Sequence, residues 1–81
     1  MNKKELMRIL KNLCEYKNWT IIKPSLFINS TQTVIIVDVY DKEIGSIWHV
    51  YIDTVSCYYT SQFLSPYNIH TRNRNSLDRF M

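Results

Sequence analysis

Residues 33–53, TVIIVDVYDKEIGSIWHVYID, place two runs rich in β-branched and aromatic side chains on either side of the only glycine in the chain. Such runs favour strands, and residues 42–45 make a four-residue hairpin loop with Gly45 in the left-handed region. Asp41 then faces Ser46, and counting outward pairs Val39 with Trp48, Val37 with Val50 and Ile35 with Ile52. That face is wholly apolar. The other face pairs Tyr40 with Ile47, Asp38 with His49, Ile36 with Tyr51 and Val34 with Asp53. A one-residue slip would carry Asp38 onto the face of Trp48 and Val50, so the hydrophobic pattern rejects it.

Upstream, Leu6, Ile9, Leu10 and Leu13 recur at the spacing of an amphipathic helix over about residues 3–17. Asn2, followed three residues later by Glu5, reads as a capping box. Residues 19–28 read as a strand interrupted by Pro24, which places it at a sheet edge. If Ile28 pairs with Thr33, then Leu26 falls beside Ile35 and Ile22 beside Val39, both on the apolar face. The hairpin strands span about 33–41 and 46–55. Beyond them, residues 56–81 carry only a β-prone stretch through Tyr58 and Tyr59 and a short helical turn at 76–80 anchored by Leu77 and Phe80. The expected fold class is α+β: an N-terminal amphipathic helix packed on a three- or four-stranded antiparallel β-meander, with an irregular basic C-terminal segment.

Eighty-one residues, 46% of them apolar, suit one domain spanning 1–81. No apolar run reaches the roughly 18 residues of a membrane span and the N-terminus lacks a signal-peptide core, so a cytoplasmic protein is expected, with no membrane partner. Cys14 and Cys57 are too few for a disulfide framework or a zinc site, and buried free thiols are expected. A single glycine cannot build a phosphate-cradling loop, and His49 and His70 stand isolated. No cofactor, metal site or catalytic residue is therefore assigned.

The charge is polarised. Residues 1–23 hold six Lys or Arg against two Glu, residues 24–66 hold Lys42 against Asp38, Asp41, Glu43 and Asp53, and residues 67–81 hold three Arg against Asp78. Two surfaces are candidates for function. The mixed hairpin face, with Ile36, Asp38, Tyr40, Ile47, His49, Tyr51 and Asp53, offers more apolar surface than a small domain leaves wet, which suits docking on a larger protein or a second copy of the chain. The basic helix stripe Lys4, Arg8 and Lys11, with Arg72, Arg74 and Arg79 of the tail, suits phosphates of RNA or DNA, with Tyr58, Tyr59 or Tyr67 stacking on bases.

The leading expectation is a small non-catalytic binding protein, an inhibitor or regulator of the kind phages and mobile elements encode; that last association rests on size and Asn/Ile/Lys/Tyr usage. A nucleic-acid-binding module is the alternative. The order of helix, three strands and a last helical turn resembles the double-stranded-RNA-binding domain, which implies RNA contact, although Pro66 stands where that family has a lysine-rich helix. KELMRILKNLCEYKNWTIIK also resembles, in layout, small toxins that cleave messenger RNA. That resemblance does not carry the family's active residue, since Pro24-Ser25-Leu26 replaces its Gly-Ser-His. A metal-independent ribonuclease rests instead on the strand row His49, Tyr51 and Asp53, with Asp38 across from His49 as the acid-base candidate, and is the least favoured expectation.

Overall fold

The structure, a computed structural model, describes residues 1–64 and 73–81. Helix α1, Lys3–Lys17, begins where Asn2 Oδ1 accepts the Glu5 N–H at 2.9 Å. It ends at Asn18, whose left-handed conformation (φ 59°) turns its N–H back to the last carbonyls. Leu6, Ile9, Leu10 and Leu13 are fully buried, so the apolar stripe read from the sequence is the packing face.

Six antiparallel strands follow: β1 (Trp19–Ile21), β2 (Phe27–Ile28), β3 (Val34–Asp41), β4 (Ser46–Asp53), β5 (Tyr58–Phe63) and β6 (Asn73–Ser76). They lie in the order β1-β3-β4-β5-β6, with β2 pairing to β3 on the same side as β1. The β3–β4 register matches the pairing derived above at every position from Val34↔Asp53 to Asp41↔Ser46. Ile35, Val37, Val39, Val50 and Ile52 are fully buried and, with Tyr59 of β5, form the inner face beneath α1.

The α+β class and the helix-on-sheet packing hold, but the sheet is wider than the three or four strands expected. The β-prone stretch after Asp53 forms β5, and part of the basic tail forms β6. After β6, Leu77 is buried completely and Phe80, in a 3-10 turn over Asp78–Phe80, almost completely. Both anchors join the core as expected.

Pro24 divides the first strand. A 3-10 turn, Lys23–Ser25, separates β1 from β2, and Ser25 Oγ accepts the Asp38 N–H at 2.8 Å in place of a strand partner. The turn absorbs extra residues, so Ile21, not Ile22, pairs with Val39 and packs on the core. Ile28 pairs with Ile35, not with Thr33, a shift of two residues that preserves the face. Its cause is Asn29, whose Oδ1 accepts the N–H groups of both Thr33 and Val34 and draws Thr33 into the loop. Of the two cysteines, both free, Cys14 is buried but Cys57 is only half-buried, because it occupies a left-handed turn position (φ 58°) before β5.

The outer sheet face as candidate functional site

Alternation along β3 and β4 sends every second side chain away from α1, which is why one strand pair builds both a core and a surface. The cross-strand pairs on this outer face line up in rows. Phe27, Ile36, Tyr51, Thr60 and Arg74 cross the sheet from β2 to β6. Asp38, His49 and Gln62 form a second row, and Val34, Asp53, Tyr58 and Ser76 a third. Tyr40 and Ile47 stand beside Thr20 at the hairpin end.

All seven hairpin residues proposed from the sequence therefore share this face. Tyr40 and Ile47 are 41% and 39% exposed and Phe27 57%, while Ile36, Asp38, His49, Tyr51 and Asp53 are half-buried among their neighbours. Helix α1, Leu77 and Phe80 pack on the opposite face with the core residues. Sequence reasoning missed Phe27, Thr60 and Gln62, and named Tyr58 as a stacking residue without placing it on this face. Phe27 had a signal, since it alternates with the inward Leu26 and Ile28; the other three lie on β5, whose pairing to β4 no turn residue announces.

Polar contacts organise the centre of the face. Asp38 Oδ1 and His49 Nδ1 are 2.7 Å apart, the only ion-pairing contact among the described residues when the ring is protonated. Tyr51 and Tyr58 rings lie 5.9 Å apart, centroid to centroid. Partial burial, then the neighbouring Asp53 carboxylate and the Tyr58 hydroxyl, push the Tyr51 phenol above its ordinary pKa, so it stays a neutral hydrogen-bonding group at physiological pH. On the far side the Arg74 guanidinium stacks 3.8 Å from the Tyr58 ring centroid. The face thus combines aromatic and aliphatic area with two carboxylates, one arginine and one histidine.

The proposed nucleic-acid residues are divided between the two faces. Lys4, Arg8 and Lys11 are exposed on α1, and Arg79 stacks on Tyr16 of the same helix at 4.6 Å, whereas Arg74 lies on the outer face. Arg72, Tyr67 and His70 lie outside the described residues. Tyr59 is 96% buried in the core beside Phe80 and offers no stacking surface, which corrects its candidacy; Tyr58 does face outward.

Among the described residues no group of three or more His, Cys, Asp or Glu could hold a metal ion, and no helix is long and apolar enough to cross a membrane. Compared with known proteins, the chain matches no family model, no curated protein and no solved structure.

Proposed function

We propose that the chain is a non-catalytic binding protein, an inhibitor or regulator that docks on a larger protein through the outer face of its sheet. The observation that carries this reading is the row Phe27, Ile36, Tyr51, flanked by Tyr40, Ile47 and Tyr58, which leaves aromatic and branched side chains partly in water on one face of the sheet. Tyr and Arg at the centre and rim are the residue types that anchor protein interfaces. Asp38 and Asp53 favour a partner with basic groups around an apolar centre and repel phosphates, which sets nucleic acid second for this face.

The test is a capture experiment with paired variants. The wild type and Lys11→Glu, altered on the helix layer, retain the same partner, and Ile36→Lys loses it while its far-UV spectrum and melting temperature stay unchanged. Capture that survives Ile36→Lys removes the outer face from the reading. Light scattering separates the remaining occupant, because a dimer that Ile36→Lys splits into monomers assigns the face to a second copy of the chain.

RNA or DNA binding through Lys4, Arg8 and Lys11 remains the alternative function. It predicts a steep loss of affinity for labelled RNA between low and physiological salt, and absence of binding at low salt ends it.

A further inference from the structure

A second surface lies on the opposite layer, where the flank of α1 overhangs the sheet edge. A groove of about 750 Å³ runs there, with Met7 and Ile21 lining it together with Lys4, Arg8, Lys11 and Glu5. Met7 and Ile21 are both half-buried and pack against the core from its margin. The helical period places Lys4, Arg8 and Lys11 on one stripe next to Met7, so three cations face one carboxylate along the groove. None of the three cations forms an ion pair among the described residues.

Among the described residues the adjoining backbone is also open. Of the strands they form, β1 is the last in the sheet order and pairs with β3 alone. Ile22 directs its N–H to the Asp38 carbonyl at 3.0 Å, so alternation along the strand turns the N–H and C=O of Ile21 away from β3, toward the open side.

We infer that this groove takes an extended acidic peptide segment of a partner protein, which pairs with the open edge of β1, places apolar side chains on Met7 and Ile21, and sets carboxylates against Lys4, Arg8 and Lys11. Strand addition supplies the main-chain bonds, and the side-chain groove supplies specificity. Pro24 closes the edge just past Ile22, which limits backbone pairing to a short stretch and makes the flank of α1 the larger contact. A nucleic acid could use the three cations, but it gains nothing from the Met7 and Ile21 floor or from the free amide. An acidic, apolar-bearing strand uses all of them. This site is independent of the outer face.

The experiment is a fluorescence-polarisation titration of the full chain with a labelled ten-residue Glu/Val peptide, beside a Glu-only decapeptide and a ten-nucleotide oligo(dT). The Glu/Val peptide is expected to bind at least about tenfold more tightly than either control, a difference large enough to separate shape from charge alone. Binding falls about tenfold or more in the Arg8→Glu/Lys11→Glu variant, whose two sites are exposed and whose melting temperature stays unchanged. The Ile21 amide shifts in the 15N spectrum, and Ile36→Lys leaves the titration as it was. Equal binding of the two peptides, tighter binding of oligo(dT), or an undiminished titration with the double variant overturns the proposal. So does failure of the Glu/Val peptide to bind at ~1 mM.

Discussion

Asp38 and His49 face each other across the central strand pair with Oδ1 and Nδ1 2.7 Å apart, on a surface where the two side chains keep 30% and 41% of their exposure. Water competes for both groups. Cross-strand charge pairs in this setting contribute a fraction of a kcal/mol, so a double-mutant cycle with Asp38→Asn and His49→Ala is expected to give a coupling below about 1 kcal/mol in urea denaturation. Both single variants keep the fold. If the chain is non-catalytic as proposed, RNA incubated with the wild type stays intact and His49→Ala changes nothing. Cleavage lost in His49→Ala would instead make the pair an acid-base site, with Asp38 orienting the ring.

Leu77 lies only four residues from the end of the chain yet has no exposed surface. Its N–H bonds to the Cys57 carbonyl at 3.1 Å, and Phe80 beyond it packs on Tyr16 and Tyr59. Leu77→Ala is therefore expected to cost about 2–5 kcal/mol, the range for a leucine truncated inside a core. Chemical denaturation measures it. A loss below about 0.5 kcal/mol, ordinary for a surface position, would mean that the last residues are not part of the core.

The hairpin of β3 and β4 was legible because three signals agree there: β-branched composition, two-residue periodicity and Gly45. The turn between β4 and β5 repeats that chemistry without its most visible mark. Asp41 Oδ1 accepts the Glu43 N–H at 3.0 Å before Gly45 takes the left-handed position, and Asp53 Oδ1 accepts the N–H groups of Val55 and Ser56 before Cys57 does the same. Cysteine is not a turn signal, so the β-prone stretch was legible in its residues but neither its start nor its pairing to β4 was. β6 was hidden for a different reason. Its sequence, Asn73-Arg74-Asn75-Ser76, has almost no strand propensity, all four residues are exposed, and it is held by the ladder to β5 and the Arg74–Tyr58 stack. Of the candidate site, the seven hairpin positions followed from alternation alone, whereas placing Tyr58, Thr60 and Gln62 on this face depended on the register of β5 against β4.

Cys57 Sγ donates to Asp78 Oδ1 at 2.9 Å, and the bond moves the two groups in opposite directions. Hydrogen bonds from Cys57 and then Ser76 hold the Asp78 carboxyl below its ordinary value, and the same contact with Asp78 is the largest reason the Cys57 thiol lies above its own. The Asp78 contribution to stability is present above its unfolded pKa and fades as the pH falls through the lowered folded value. For Cys57 the contribution is present below its unfolded pKa and fades as the pH rises through the raised folded value. The melting temperature of the wild type relative to Cys57→Ala should therefore be highest near neutrality and converge at both extremes. In 13C titration the Asp78 carboxyl moves upward in Cys57→Ala; an unmoved carboxyl would show that the thiol does not hold it.

Three turn positions besides the helix cap at Asn18 have positive φ: Gln32 (56°), Gly45 (67°) and Cys57 (58°). Only Gly45 carries the residue suited to that region, and the difference can be measured. A methyl group added at Gly45 meets nothing nearer than the Tyr40 hydroxyl at 4.0 Å, so Gly45→Ala isolates the backbone penalty from any clash. It is expected to cost about 1 kcal/mol. At Gln32 the same physics runs in reverse. The side chain is exposed, while the backbone N–H that closes the loop onto the Asn29 carbonyl at 3.0 Å is retained by any residue but proline. Gln32→Gly should stabilise the fold by about 0.5–1 kcal/mol, less than the full relief because glycine also loses more entropy on folding. Urea midpoints of the two variants are then displaced in opposite directions at an unchanged slope. A destabilised Gln32→Gly would mean that the unfolded-chain entropy outweighs the strain at that turn.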